Sequence, residues 1–388
     1  MYNNHKLPTK IHLWLPNIFE YKGGIQVYSD FFLNAIQKVY SRVFYSVFLK
    51  HDRTCTNNNL YSSNTKFHFA GKVPLSLRTA FFAAQLIAHG IWQKPDLVIA
   101  THLNFTVAAY WLKRLTGIPY ITIAHGVEAW NITNSQRQKA LKHADKILAV
   151  SNYTRERLLQ EQDLDPDRVS LLYNTFDSDR FSIQPKPDYL LERYGLKPDQ
   201  PVILTVNRLA SQESYRGYDR LIEALPQIRQ HIPDIRYIIV GKGDDRQRLE
   251  RSIQQQNLQD CVTLAGFISD EELPAYYQLC DLFAMPSKLE GFGIVYLEAL
   301  ASGKPVLGGN QDGAIDALRQ GELGVLVDPD DVLEIASNII AILQKSHSHP
   351  LIYQPQILRE RVIRYFGFEM FQQTLSNLLN QSSLEVSK

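Results

Sequence analysis

The 388-residue sequence contains few cysteines and no long apolar run. Three cysteines, an odd number spread over the chain, predict neither a disulfide framework nor a zinc site and fit a reducing compartment. The most apolar helix-like stretch, residues 81–92, is too short to span a bilayer. The apolar run 11–19 is broken by Pro16 and no cleavage site follows it, so it predicts a first strand rather than a signal peptide. We therefore expect a cytoplasmic protein.

The chain as a whole carries almost no net charge, but each of its two halves does. The net charge is +1, from 41 Lys+Arg and 40 Asp+Glu. Through Lys197 we count 24 basic and 15 acidic residues (+9), which leaves 17 against 25 (−8) for the remainder. A basic first half predicts attraction to an anionic acceptor or to an anionic surface at the inner face of the membrane. The alternative is a solvated surface whose charge asymmetry has no function.

Short apolar runs alternate with helix-period segments, a rhythm typical of parallel sheets built from βαβ units. The polar, proline-rich segment 181–200 interrupts this rhythm and predicts a linker. Two Rossmann-like α/β domains are therefore expected, with an amphipathic stretch at 366–379 beyond the second. The predicted strands are 11–15, 43–49, 97–100, 120–124, 147–150 and 169–172, then 202–206, 237–240, 262–264, 282–284, 305–307 and 325–327.

Several motifs follow directly after predicted strands, where parallel sheets bind their ligands. Gly23 and Gly24 precede a predicted helix, so a phosphate could approach the backbone and the free amides there. A simple turn is the alternative. His125 follows strand 120–124, and His102, with a weaker claim, follows strand 97–100. Either ring could hydrogen-bond a reacting sugar, although a lone histidine is more often structural.

Two arginines and a glycine pair occupy similar positions in the second half. Asn207 and Arg208 follow strand 202–206, and Arg216 opens the next helix. Guanidinium groups at these positions suit a diphosphate, because each can form forked, charge-assisted hydrogen bonds. Solvated surface arginines are the alternative. Gly241 and Gly243 lack a third glycine at the right spacing, so they indicate a tight turn rather than a dinucleotide fingerprint.

The segment 287–298 is the strongest feature of the sequence. It follows strand 282–284, turns through Gly291 and Gly293, and enters a predicted helix. The amides near the start of that helix could bind a phosphate. Glu290 could accept hydrogen bonds from sugar hydroxyls, and Glu298 from a ribose diol. A solvent-facing Glu298 is the alternative, but the helix is mostly apolar and leaves little room for a solvated face.

Together these motifs resemble, over nearly the whole chain, the retaining glycosyltransferases of glycosyltransferase family 4 (glycosyl transferases group 1), which have the GT-B fold. The combination is specific where single motifs are not. Asn207 and Arg216 depart from the family, which often has glycine and lysine there, and Asp316 stands where glutamate is common. The matching segments are Gly23-Gly24-Ile25, His125-Gly126, Ser151-Asn152, Asn207-Arg208, Arg216-Gly217, Pro286-Ser287, the E-x7-E signature Glu290…Glu298, and Asp312-Gly313.

The resemblance implies an architecture and a set of roles. Two Rossmann-like domains would face a central cleft, with the C-terminal helix crossing back to the first domain. Residues 1–180 plus 366–388 would form the acceptor domain, 181–200 the linker and 201–365 the donor domain. Catalytic roles are implied for His125, Glu290, Arg208 and Arg216. Donor-binding roles are implied for Gly23, Gly24, Asn207, Phe267, Ser287, Gly291, Phe292, Gly293, Ile294, Val295 and Glu298.

The implied reaction moves a hexose, with retention, from a nucleotide-sugar to a saccharide or lipid-linked saccharide. UDP-glucose or another UDP-hexose is the expected donor, polysaccharide or glycoconjugate biosynthesis the expected setting, and neither a metal nor a nucleic acid is expected. The acceptor pocket would involve loops 22–24, 101–105 and 127–131. Three alternatives stay open: a non-hydrolysing sugar-nucleotide epimerase, a non-catalytic sugar-nucleotide-binding protein, and a hydrolase that uses Glu290 and Glu298 as its carboxylate pair.

Overall fold

The computed structural model describes residues 8–20, 23–55 and 61–381. Lys22, expected in the acceptor pocket, lies outside these residues. The strands of the described chain are β1 (Lys10–Leu15), β2 (Phe44–Leu49), β3 (Thr65–Phe69), β4 (Leu97–Ala100), β5 (Tyr120–Ala124), β6 (Lys146–Ala149), β7 (Val169–Leu171), β8 (Val202–Val206), β9 (Arg236–Val240), β10 (Val262–Gly266), β11 (Leu282–Met285), β12 (Val306–Gly309) and β13 (Val325–Val327).

Helices connect most of these strands, as βαβ units require. None in the described part of the chain is long and apolar enough to cross a membrane. They are α1 (Gly24–Val39), α2 (Leu75–Gln93), α3 (Thr106–Thr116), α4 (Ser135–Lys142), α5 (Asn152–Gln162), α6 (Asp188–Tyr194), α7 (Tyr218–His231), α8 (Arg246–Gln255), α9 (Leu273–Leu279), α10 (Ile294–Ala301), α11 (Ala314–Ala317), α12 (Val332–Leu343), α13 (Pro355–Phe366) and α14 (Phe368–Gln381).

The described chain divides into two compact units. The first comprises the residues up to Thr175 together with those from Phe368 onward, and the second comprises Phe176–Gly367. The first unit holds a parallel sheet of order β3-β2-β1-β4-β5-β6-β7, and the second a parallel sheet of order β10-β9-β8-β11-β12-β13. Both orders reverse direction beside the first strand of their unit, as in Rossmann-like sheets. The predicted class, two Rossmann-like α/β domains, is confirmed.

The central strands are mostly apolar because helices cover both faces of each sheet. Every residue of β4, β5, β11 and β12 is buried. The edge strand β3 was not predicted. Its sequence Thr-Lys-Phe-His-Phe is polar at alternate positions and only partly buried, so it lacks the continuous apolar run that marks the inner strands.

The segment 181–200, predicted as a linker, lies within the second unit and contains α6. Its prolines misled the prediction, because Pro187 caps the helix at a position where a missing N–H costs little. The segment is bound to its own unit by charge pairs. Lys186 lies 2.7 Å from the carboxylate of Asp281, and Arg193 lies 2.6 Å from that of Glu272.

The predicted C-terminal stretch 366–379 begins at the last residue of α13 and lies mostly in α14; the two helices meet at Gly367. Helix α14 belongs to the first unit and packs against α1. The Phe371 ring lies edge-on to Tyr28 at 5.7 Å, and Leu375 is fully buried. The Lys38 ammonium lies over the Phe368 ring at 4.6 Å. Buried aromatic contacts therefore hold the C-terminal helix in place.

We expect Phe371→Ala to lower the free energy of unfolding of the first unit by about 3–5 kcal/mol, because it empties a buried aromatic site. Met370→Ala is the matched control, since its side chain is 40% exposed on the same helix. Urea denaturation followed by circular dichroism measures both variants. Equal losses for the two variants would contradict the packing described.

Candidate functional site

The strand order of the second unit brings two loops together. The order reverses between β8 and β11, which are hydrogen-bonded neighbours. The loop after β8 carries Asn207, Arg208 and Arg216, and the loop after β11 carries Ser287 and Glu290. Such switch points are where open parallel sheets bind ligands. Most of the sequence-predicted residues of this half therefore lie on the two loops that bound the crevice or on α10, which follows the second loop. Phe267 instead follows the edge strand β10.

Close backbone contact joins the two loops. Gly217 has φ +86°, and a Cβ there would lie 2.2 Å from the carbonyl oxygen of Pro286. Only glycine combines this left-handed conformation with such an approach. Arg216 is thereby brought to Glu290, where Nη1 and Oε2 are 2.5 Å apart and both side chains are 17% exposed. Glu290 thus lies in an ion pair that sequence spacing did not reveal.

Asn207 and Arg208 differ in their surroundings. The backbone N–H of Asn207 donates to the carbonyl of Val240 at 3.0 Å. Its side-chain Oδ1 and Nδ2 are both buried and have no hydrogen-bond partner among the described residues. An unsatisfied buried amide is unfavourable, by roughly 1–3 kcal/mol, unless a ligand or water satisfies it. The Arg208 side chain is exposed at the same strand end, where a diphosphate could reach it.

A buried carboxylate that was not singled out as a site residue shapes the loop after β11. Asp312 accepts hydrogen bonds from Ser287 Oγ at 2.7 Å, from the Glu290 N–H at 2.7 Å and from the Ala314 N–H at 2.9 Å. Burial raises the pKa of Asp312 to about 7. The Gly313 N–H also donates to the Glu290 carbonyl at 2.8 Å. The Asp-Gly pair was noted in the sequence, but its clamping role depends on contacts across 22 or more residues.

The loop ends at the N-terminus of α10. Gly291, Phe292 and Gly293 are buried, whereas Ile294 and Val295 are partly exposed. The Phe292 ring packs edge-on to another phenylalanine ring of its unit at 5.3 Å and anchors the turn. The first amides of a helix have no partner within it and carry a partial positive charge. The start of α10 can therefore receive a phosphate.

Glu298 lies one helix turn further along and is partly buried. Its Oε2 accepts a hydrogen bond from the Tyr277 hydroxyl at 2.7 Å. Burial raises the pKa of Glu298, and the nearby Arg180 guanidinium opposes that rise. The carboxylate is therefore held by Tyr277 with its other oxygen available for a diol. No motif marks Tyr277 or Arg180 in the sequence.

Phe267 lies at the end of β10, after Gly266. Its ring is 68% exposed, although phenylalanine is usually buried. The Lys242 ammonium lies over that ring, 4.8 Å from its centroid. An exposed aromatic face at a strand end can stack on a planar heterocycle.

In the first unit, His125 follows β5 and is held from two sides. Its Nε2–H donates to the Thr101 carbonyl at 2.7 Å, and its ring lies edge-on to Tyr28 at 4.8 Å. The backbone N–H donates to the Glu128 carboxylate at 2.6 Å. Burial lowers the pKa of His125 to about 4. The ring is therefore neutral near pH 7, and Nδ1 is a hydrogen-bond acceptor.

Of the glycine pair in the first unit, Gly24 is open to approach, whereas a Cβ on Gly23 would lie 2.7 Å from Gln26 Oε1. A Cβ on Gly24 would meet nothing within 4 Å, so no internal packing demands glycine there. Gly23 is extended and precedes α1. The same end of the sheet has a pocket of about 200 Å³, lined in part by Asn17, Gln26 and His102. Burial lowers the pKa of His102 to about 4, which leaves it neutral as well.

A metal centre does not emerge from these positions. Within residues 8–20, 23–55 and 61–381, no three His, Cys, Asp or Glu side chains form a group that could hold an ion.

The chain is similar to known proteins over most of its length. The family model described as Glycosyltransferase Family 4 matches residues 24–180, and that described as Glycosyl transferases group 1 matches residues 190–364. A GDP-mannose-dependent alpha-(1-6)-phosphatidylinositol monomannoside mannosyltransferase of Mycolicibacterium smegmatis is 35% identical over 234 residues, 56% of this chain and 59% of that protein. Alpha-D-kanosaminyltransferase of Streptomyces kanamyceticus is 28% identical, over 60% of this chain and 64% of that protein. The chain thus spans about three fifths of the length of these relatives.

Solved structures resemble the chain over almost its full length. Anabaena HepE in complex with UDP and glucose has a TM-score of 0.78 at 21% identity, covering 96% of this chain and 100% of that one. Sucrose-phosphate synthase from Thermosynechococcus elongatus has a TM-score of 0.78 at 22% identity, covering 96% and 98%. At these identities the likeness shows the fold alone, which is GT-B. Because the two family models together match residues 24–180 and 190–364, most of the 388 residues, this chain belongs to glycosyltransferase family 4.

Proposed function

We propose that this chain is a retaining glycosyltransferase that moves a hexose from a nucleotide-sugar to a saccharide or lipid-linked saccharide in polysaccharide or glycoconjugate biosynthesis. The observation that carries the proposal is the β8/β11 switch point, where an exposed arginine, a helix N-terminus and a tyrosine-held glutamate are found together. UDP-glucose or another UDP-hexose is the proposed donor. Anabaena HepE, which has the same fold, binds UDP and glucose, whereas the relative from Mycolicibacterium smegmatis is a GDP-mannose-dependent enzyme.

The donor would be bound in parts by the second unit. The diphosphate would contact Arg208, the Asn207 amide and the first amides of α10, those of Ile294 and Val295. The ribose diol would bind the free oxygen of Glu298, and the base would stack on Phe267. Together these groups distinguish a nucleotide-sugar from a free sugar.

The ion pair of Arg216 and Glu290 changes the role proposed for Arg216. Its guanidinium is already held by a carboxylate at 2.5 Å. We therefore assign it to positioning Glu290, whose remaining lone pairs would accept hydrogen bonds from sugar hydroxyls. A carboxylate in such a pair is an acceptor rather than a proton donor, which disfavours the alternative of a hydrolase with Glu290 as its acid.

The proposed transfer breaks the bond between the anomeric carbon and the diphosphate oxygen, and the electron pair leaves with the phosphate. The acceptor oxygen bonds to the same carbon and passes its proton to the leaving phosphate oxygen. Negative charge grows on the phosphate, where Arg208 and the α10 amides would stabilise it. In the first unit, neutral His125 would accept a hydrogen bond through Nδ1 from a sugar hydroxyl.

Arg208→Ala should lower kcat by roughly 10²–10³, the usual effect of losing one donor to a developing anion. The side chain is exposed, so the melting temperature should stay unchanged. Arg251→Ala, at an exposed position of α8 in the same unit, is the matched control. Steady-state assays that follow both nucleoside diphosphate release and formation of the glycosylated acceptor measure kcat for each variant. Undiminished turnover in Arg208→Ala would refute this role.

Glu298→Gln should weaken UDP binding by about ten- to hundredfold, as expected for loss of a charged hydrogen bond. Titration calorimetry with UDP and with 2′,3′-dideoxy-UDP measures the loss. The variant should bind the two nucleotides with similar affinity, because it lacks the ionised carboxylate that binds the ribose diol. Burial raises the pKa of Glu298. Glu298 should therefore become protonated as the pH falls through a pKa above that of ordinary glutamate. Below that pKa, UDP should bind the native chain and the variant with more similar affinities. Glu360→Gln, exposed on α13, is the control; continued discrimination by Glu298→Gln would contradict a ribose contact.

A thermal-shift comparison of UDP-, GDP- and ADP-sugars should give its largest stabilisation with a UDP-hexose. A ligand at one hundred times its Kd adds about 2.7 kcal/mol to the free energy of unfolding. A larger shift with GDP-mannose would overturn the UDP assignment and leave the transferase class intact. Stabilisation by every class to the same extent would argue against base recognition by Phe267.

A further inference from the structure

Helix α2 is apolar on two opposite faces. Its inner face carries Phe82, Leu86 and Gly90, which are buried at helical spacing. A Cβ on Gly90 would lie 2.4 Å from a side-chain carbon of Leu112, so α2 and α3 pack in close contact. This inner face satisfies the usual requirement of a surface helix, and the opposite face should then be polar.

The opposite face is apolar as well. Leu77, Phe81, Ala84, Ala88 and Ile91 follow one another at spacings of four and three, which places them along one side of the helix. All five are exposed, as is Trp92 beside them at 79%. At 1.5 Å per residue this stripe is about 21 Å long.

The neighbouring helix α3 also exposes large apolar side chains. Trp111 is 47% exposed and Leu115 is 65% exposed, one helix turn apart. We call these residues, together with the outer stripe of α2 and with Leu75, the α2–α3 face. Exposed apolar surface of this extent marks a contact with something other than water.

The sequence around this face is basic, although Lys113 of α3 pairs with the Asp145 carboxylate at 2.7 Å. Residues 53–127 contain seven lysines and arginines and a single carboxylate, Asp96. That carboxylate accepts hydrogen bonds from Thr9 and from the backbone of Lys10. Neither α2 nor α3 contains an acidic residue. Lys72, Lys94 and Arg114 are exposed before α2, after α2 and on α3.

A basic pocket lies where α2 begins. It has a volume of about 510 Å³ and is lined by Arg53, Lys72 and Arg78, with Leu75 at its edge and no acidic residue. The Arg78 guanidinium donates to the carbonyls of Gly71 at 2.9 Å and Val73 at 3.0 Å, which holds it in place. A pocket with these groups suits a phosphate.

We propose that the α2–α3 face binds an anionic lipid bilayer. Its apolar side chains enter the boundary between headgroups and acyl chains, where tryptophan is favoured, and the basic pocket receives a lipid phosphate. Charge complementarity favours this occupant over a second copy of the chain. A self-associated pair would bring the same lysines and arginines together, and such like-charge contacts are unfavourable.

Vesicle flotation tests the apolar part with the full chain and no nucleotide, so its result is independent of the transferase proposal. Vesicles of phosphatidylcholine with about 30% phosphatidylglycerol should bind the protein, and pure phosphatidylcholine should bind it far less, because of the surface charge. Phe81→Ser with Trp92→Ser should lower binding at least about tenfold, given the apolar area withdrawn. Leu333→Ser is the matched control, since Leu333 is 68% exposed in the second unit.

Charge reversal tests the basic part. Lys72→Glu should lower binding to the anionic vesicles by about fivefold or more, and added salt should reduce binding of the native chain. Lys197→Glu, exposed in the second unit, should leave binding unchanged. The proposal is overturned by absence of binding to the anionic vesicles, by equal binding to both kinds, or by full binding of the double serine variant. Sedimentation showing a dimer that the double variant abolishes, without vesicle binding, would assign the face to a second copy instead.

Discussion

The buried carboxylate of Asp312 is the interaction on which the candidate donor site depends. It binds a side-chain hydroxyl at one end of the loop after β11 and a backbone N–H three residues later. Burial raises its pKa to about 7, and three donors offset the cost of that burial. With the loop clamped in this way, Glu290 faces Arg216 and α10 begins at a fixed place. The sugar-binding and phosphate-binding groups are therefore positioned by a residue that itself contacts no ligand in our proposal.

The sheet supplies the second constraint, because its strand order reverses between β8 and β11. Two loops that leave neighbouring strands in opposite directions form a crevice between them. Here they also touch, through Gly217 against the Pro286 carbonyl. A side chain at that position would separate the loops and break the ion pair of Arg216 with Glu290. The site is therefore a property of backbone packing as much as of its charged side chains.

Much of the fold followed from the sequence, because inner strands of a parallel sheet are continuous apolar runs and need no partner to be recognised. The edge strand β3 and helix α6 escaped prediction, since β3 interleaves polar and apolar residues and α6 directly follows a proline. In the site, the motif positions could be predicted but their pairing could not. Tyr277 holds Glu298 from a helix 21 residues away in sequence, and nothing in its local sequence indicates that contact.

The surface of helix α2 could not be predicted from its sequence either. Its composition alone indicates an apolar helix, which could be either a buried helix or an exposed one. Packing determines which side of α2 is buried. Gly90 lies against Leu112, so the side of the helix with Phe82 and Leu86 faces the interior. The stripe through Phe81 and Trp92 is then left outside, beside lysines and arginines with no acidic neighbours on either helix. Water solvates such a stripe poorly, whereas a bilayer boundary suits both its apolar centre and its basic margin.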